Sequence, residues 1–144
     1  MPYLKIWLHI VWSTKNREPL LEKPIRQRIF DHIRENAKEK GIYIDHINGH
    51  NDHVHCLVSL MADQTVAKIV QLIKGESSHW VNQNQITSRP FGWQTEYFAM
   101  SVSQSQVDRV RAYIRNQESH HREVSFAEEY ELMMDKYGFE KMSG

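Results

Sequence analysis

With 144 residues, 40% of them hydrophobic and 25% charged, the chain has the size and composition of one soluble globular domain with a real core, and 1–144 is read as a single domain. No apolar run approaches the roughly 18 residues of a membrane span. The start, MPYLKIWLHIVW, lacks a signal-peptide cleavage pattern, and the lone Cys56 leaves no intramolecular disulfide framework, so the expectation is a cytoplasmic protein with no membrane partner.

The 18 basic and 18 acidic residues cancel, so net charge does not by itself advertise a nucleic-acid binder. Their distribution is uneven. Lys15, Arg17, Arg26, Arg28 and Arg34 lie early, Arg109, Arg111, Arg115 and Arg122 lie close together later, and Glu123, Glu128, Glu129, Glu131 and Asp135 gather in the tail. A basic body with an acidic tail suits DNA, and scattered solubilising charges produce the same pattern.

In chain order, Leu4, Ile6, Leu8 and Ile10 alternate with Tyr3, Lys5, Trp7 and His9, the period of two that predicts a first strand. A polar loop over 13–23 follows. Pro24 suits the first turn of a helix carried by Ile25, Ile29, Ile33 and Ala37, with Gly41 as its C-terminal cap. Two short strands, 42–48 and 53–60, flank the turn-rich Gly49-His50-Asn51-Asp52. Val66, Ile69, Val70 and Ile73 predict a second helix reaching Trp80 and Val81, which Gly75 could interrupt, and 82–90 is polar loop. A fourth strand fits 93–102. Ser105-Gln106-Val107-Asp108 resembles a capping box, opening a helix with the stripe Val107, Val110 and Ile114. A helix over 126–136 closes the chain before Gly138. The order β-α-β-β-α-β predicts an α+β, ferredoxin-like fold with an antiparallel sheet and additional C-terminal helices.

The chemistry lies in Asn51-Asp52-His53-Val54-His55-Cys56. Strand alternation turns His53 and His55 to one side, and Val54, Cys56 and Val58 to the core. Two such imidazoles can hold a divalent ion, although a bare pair is also an ordinary arrangement of polar residues. Tyr113 and Gln117, four apart, share a helix face. The Gln117 amide oxygen offers a third, neutral ligand, leaving coordination positions for water and a phosphate oxygen. The bland readings are that Tyr113 covers the core beside Val110 and Ile114, and that Gln117 is a solvated helix former. His9, His32, His46 and His50 are expected to make local hydrogen bonds or face water, and Cys56 to be a small core residue. Arg109, Arg111, Arg115, His120 and His121 are candidate DNA contacts or a solvated polar face.

Four stretches together are more specific: HIVWSTKNREPLL (9–21), GHNDHVHCLVSL (49–60), KIVQLIKGESSHWVN (68–82) and YIRNQESHH (113–121). In this order and spacing they resemble the single-tyrosine HUH transposases, the IS200-like family of insertion sequences with its REP-associated relatives. The resemblance implies His53 and His55 as the metal-binding pair, Val54 as the hydrophobic residue between them, Gln117 as third ligand and Tyr113 as nucleophile. It implies Mg²⁺ or Mn²⁺ and no nucleotide cofactor, single-stranded DNA with hairpins as substrate, a 5′-phosphotyrosine intermediate, and a homodimer for which the long apolar first strand could supply an interface. A domesticated hairpin nuclease, a non-catalytic module binding structured nucleic acid and a small metal-dependent hydrolase are the competing readings.

Overall fold

The computed structural model describes residues 2–121 and 124–137. Arg122 and Glu123 of the charge pattern and Gly138, expected to follow the last helix, lie outside the described residues. The strands are β1 (Trp7–Ser13), β2 (Tyr43–Gly49), β3 (His53–Ser59) and β4 (Phe98–Val102). The helices are α1 (Lys23–Glu39), α2 (Val66–Gln83), α3 (Val107–Arg115), α4 (Gln117–His120) and α5 (Phe126–Tyr137). All neighbouring strands are antiparallel, in the order β2-β3-β1-β4, the ferredoxin-like arrangement. Among the described residues no helix is long and apolar enough to cross a membrane.

Strand alternation divides the interior. Leu8, Ile10, Trp12, Val54, Cys56 and Val58 face α1 and α2, where Ile29, Phe30, Ile33, Ile69, Val70 and Ile73 complete the main core. The opposite face has two smaller apolar clusters. Trp7 and Leu57 pack with Val107 and Ile114 of α3, and Val11 and Met100 with Phe126 and Met133 of α5. His53 and His55 belong to this second face by parity, between the two clusters, and both are fully buried. The apolar patches around them hold α3 and α5 over the sheet and exclude water from the imidazoles.

Several boundaries differ from the sequence pattern. β1 begins at Trp7, and Leu4 and Ile6 are each 40% exposed. Its neighbours set the limit: Trp7 pairs with Ser59 and Val102, the last residues of β3 and β4, and ahead of it Ile6 O accepts from Leu60 N–H at 2.8 Å without extending the strand. β4 begins at Phe98 rather than at 93. Trp93 makes only a bridge to Thr14, its indole N–H donates to Ser77 Oγ, and the carbonyls of Gln94, Thr95 and Glu96 accept from Lys74 Nζ. Gly75 does not interrupt α2. The capping box does not form: a 3₁₀ turn, Gln104–Gln106, precedes α3, and Ser105 Oγ meets Ser103 Oγ instead. Gly41 does adopt the left-handed conformation of a helix terminus, at φ 73°.

Candidate active site

The β2–β3 turn is held from outside. Thr14 N–H donates to Asp52 O at 2.8 Å, Leu21 N–H donates to Asn51 O at 2.8 Å, and buried Arg26 donates to Leu21 O and Asn51 Oδ1. The residues after β1 therefore fix the residues before His53. Gly49, paired with Val54, lets the backbones close up: a Cβ there would lie 2.1 Å from His53 O.

The inward nitrogens of three histidines converge with two oxygens. His53 Nδ1 lies 2.9 Å from Asp52 Oδ1, which as acceptor fixes a proton on Nδ1 and turns Nε2 inward. His121 is fixed likewise, with Nδ1 donating to Val124 O at 2.6 Å. His55 Nδ1 lies 2.9 Å from His9 Nε2. Gln117 turns its amide N–H toward Tyr113 O and its Oε1 inward, 3.2 Å from His53 Nε2 and 3.0 Å from His121 Nε2. Glu129, reaching across from α5, sets Oε1 3.0 Å from His55 Nε2 and 3.6 Å from His53 Nε2. Its Oε2 lies 2.7 Å from His120 Nε2 and accepts the Tyr113 hydroxyl hydrogen.

Burial dominates the electrostatics. It lowers His55 to about 4, opposed by the hydrogen bond to Glu129, and lowers His9 to about 3, assisted by the neighbouring His55. Both are neutral at physiological pH and can offer lone pairs. Burial alone would raise the Glu129 carboxyl, but the imidazoles of His121 and His55 and the Tyr113 hydroxyl outweigh it and hold the group well below the carboxylate range. An anionic carboxylate, an amide oxygen and imidazole lone pairs facing one point form a donor set that fits a divalent cation.

The structure brings His53, His55 and Gln117 together at this point, with Tyr113 beside them. The Tyr113 ring stands edge-on to His55 with centroids 5.4 Å apart, at a cleft of about 860 Å³ between β4, α3 and α5. Tyr113 and Gln117 are not on one uninterrupted helix, because Asn116 (φ −96°, ψ 19°) separates α3 from α4. Hydrogen bonds from Asn116 N to Ala112 O and from His120 N to Asn116 O carry the helical path across the break, so the one-turn spacing survives.

The candidate DNA contacts are dispersed. Arg109 is exposed and lines the cleft. Arg111 makes a two-pronged pair with Asp45 at 2.8 and 2.9 Å, bonds Asp108, and lies over the Trp7 ring. Arg115 lies away from the cleft, against His46. His120 faces Glu129, and His121 is within the donor cluster. His9 is only 7% exposed and bonds a residue 46 positions away, so it neither faces water nor pairs locally. Glu129 was missed. Its signal is the spacing Phe126, Glu129, Tyr130 and Met133, which puts an acid on the apolar side of a helix.

Comparison with known proteins bears on the family and the fold. The family model described as "Transposase IS200 like" matches residues 3–117. The ISDra2 transposase TnpA of Deinococcus radiodurans is 27% identical over 114 residues, 76% of this chain and 81% of that protein. Two solved structures share the fold. One, a Deinococcus radiodurans R1 protein assigned as a transposase, has a TM-score of 0.65 at 23% identity, covering 81% of this chain and 93% of that one. The other, a REP-associated tyrosine transposase bound to a REP hairpin, has a TM-score of 0.62 at 19% identity, covering 86% and 73%.

Proposed function

The chain belongs to the IS200-like transposase family, and from that premise we propose that it cuts and rejoins single-stranded DNA at hairpin-flanked ends through a phosphotyrosine formed on Tyr113. The observation that carries this reading is the meeting of Tyr113, which lines an open cleft from α3, with His55 of the buried His53 and His55 pair of β3.

His53, His55 and Gln117 would hold a divalent ion, Mg²⁺ or Mn²⁺, which when bound supplies charge neutralisation and electrophilic activation at a phosphate oxygen. Asp52 and His9 keep the two imidazoles oriented from behind. A phenol is a weak nucleophile while protonated, so Tyr113 must lose its proton as it attacks. Its proton faces Glu129 Oε2, the nearest group to receive it on the way to solvent. The Tyr113 oxygen bonds to phosphorus as the bond from phosphorus to the 3′ oxygen breaks, and the departing oxygen takes a proton from water. A 5′-phosphotyrosine and a free 3′-hydroxyl remain. Attack by another 3′-hydroxyl reverses the step, so rejoining needs no nucleotide cofactor. Arg109 at the cleft supplies positive charge to the incoming strand. A homodimer is part of this reading, and the exposed Tyr3, Leu4 and Ile6 ahead of β1 offer it an apolar contact.

A hairpin nuclease fixed in a genome is the second reading, supported by the fold shared with the hairpin-bound REP-associated protein. One experiment tests the chemistry common to both. Purified protein and Tyr113→Phe are incubated with labelled single-stranded hairpin DNA and Mg²⁺, Mn²⁺ or EDTA, then resolved on a denaturing gel. A covalent adduct that requires metal and Tyr113 is expected. Metal-dependent cleavage that survives Tyr113→Phe would make water the attacker and overturn the assignment. DNA from the flanks of the gene, with and without hairpins, distinguishes the two substrates.

A further inference from the structure

The family match ends at Gln117, yet the donor cluster does not. One potential ligand atom from each of His53, His55, His121 and Glu129 lies within 4.8 Å of the others. His121 follows α4, and Glu129 lies one turn into α5, both beyond the matched region. Their side chains are nearly as enclosed as the histidine pair, at 2% and 3% exposure.

Three features separate this cluster from a chance meeting of polar groups. First, both His53 and His121 have Nδ1 engaged by an oxygen acceptor, so in each Nε2 is the nitrogen turned toward the cluster. Second, Gln117 Oε1 lies within 3.2 Å of those two nitrogens while its amide N–H points away. Third, Glu129 spans the donor cluster and the nucleophile: Oε1 faces His53 and His55, and Oε2 faces His121 at 3.6 Å together with His120 and the Tyr113 hydroxyl.

We infer, on the basis of the metal-dependent reading above, that His121 and Glu129 are ligands of the same centre as His53, His55 and Gln117, and that this chain binds a first-row transition ion in preference to Mg²⁺. Three imidazoles and a carboxylate suit Co²⁺, Zn²⁺ or Mn²⁺, whereas Mg²⁺ favours oxygen ligands and retains several waters. Of the two ions named for the reaction, Mn²⁺ is the one that this donor set favours. Glu129 then ties the ion to the nucleophile: the carboxylate that serves the centre also holds the Tyr113 hydroxyl through Oε2. α5 thereby becomes part of the metal centre as well as a cover for the sheet.

The test is Co²⁺ binding to the purified full chain, followed by calorimetry and visible absorption, with no DNA present. One Co²⁺ per chain is expected, and about a hundredfold excess of Mg²⁺ should leave it bound. Glu129→Gln and His121→Asn should each weaken Co²⁺ about a hundredfold, at least the upper end of the loss seen for outer partners of metal ligands, and alter the absorption bands. Gly75→Ala, on α2 across the sheet from the centre, should leave both readouts unchanged. Circular dichroism confirms that each variant folds. If Glu129→Gln does not, Glu129→Asp addresses the same ligand by keeping the charge and shortening its reach, and should bind Co²⁺ more weakly with shifted bands. Wild-type affinity and spectrum in the folded Glu129 and His121 variants would overturn the inference, as would equal competition by Mg²⁺ or no Co²⁺ binding at all. Failure of the transposase reading is separate: it would appear as no Tyr113-dependent adduct, even with Co²⁺ binding intact.

Discussion

His9 on β1 and His55 on β3 meet inside the protein, with His9 Nε2 2.9 Å from His55 Nδ1. Burial lowers His9 to about 3, so it remains neutral across the physiological range and serves as a fixed partner for His55. It acts through His55 and is a positioning residue. His9→Phe is expected to strand a buried imidazole nitrogen, at a cost of about 1–3 kcal/mol. It should also weaken metal binding roughly 10–100-fold, as loss of an outer partner does. His9→Gln, which retains hydrogen-bonding capacity, should recover part of the metal affinity. Thermal melts and Co²⁺ titration check both effects. A His9→Phe protein with unchanged metal affinity would show that His55 needs no orientation from β1.

Gly49 positions the other imidazole through the backbone. Because a Cβ would sit 2.1 Å from His53 O, Gly49→Ala must push β2 away from β3 at the start of the histidine strand. The expected loss of stability is at the upper end of overpacking effects, about 3 kcal/mol. Metal affinity should fall with it, since His53 moves relative to Asp52. Gly75→Ala is the control, having nothing within 4 Å of the added Cβ and a helical setting that favours alanine. It should stabilise the chain slightly in chemical denaturation. Equal effects from the two substitutions would contradict the close approach at Gly49.

These contrasts explain which parts were legible in the sequence. Periodicity exposed α1, α2, the β2–β3 hairpin and α5, because each apolar repeat lies within its own segment. The starts of β1 and β4 were hidden because a strand's limits depend on partners remote in the chain. Alternation also placed His53 and His55 on one face and Cys56 on the other. It could not reveal His9 as the partner of His55, because that needs the β1–β3 register. Glu129 was obscured by its neighbours: Glu128 and Glu131 are solvated, and only the helical spacing to Phe126 and Met133 distinguishes it.

Asp45 provides a pH-dependent contribution away from the donor cluster. It sits at the register shift in β2, and the hydrogen bonds from Arg111 lower its carboxyl below the ordinary 3.8, against the opposing effect of burial and with further help from His46. A carboxyl lowered on folding stabilises the native state above its unfolded pKa, and that stability is lost as pH falls through the lower, folded value. Wild type should therefore lose stability below about pH 3.8 more steeply than Asp45→Asn. At neutral pH, Asp45→Asn should be the less stable protein. Arg111→Lys should not restore the pair, because an ammonium cannot reproduce the two-pronged contact or the stacking over Trp7. Tm measured against pH for the three proteins decides it, and parallel acid limbs for wild type and Asp45→Asn would remove Asp45 from the account.

Arg109 and Arg111, two positions apart on α3, should separate DNA contact from structure. Arg109 is exposed at the cleft beside Tyr113, while the guanidinium of Arg111 is engaged by Asp45, Asp108 and Trp7. If the single strand enters this cleft, Arg109→Ala removes one phosphate contact and leaves the fold intact. Its affinity should fall similarly for unrelated sequences, and the slope of log K against log salt should shrink by roughly 0.7, the value for one phosphate on a single strand. Arg111→Ala should instead lower Tm, through the loss of its tie to β2, with a salt slope close to wild type. Fluorescence anisotropy with single-stranded DNA over a range of salt, paired with melts, reads both quantities. The opposite pattern, with Arg111 controlling the salt slope and Arg109 the melt, would move the DNA path off the cleft and onto the outer face of α3.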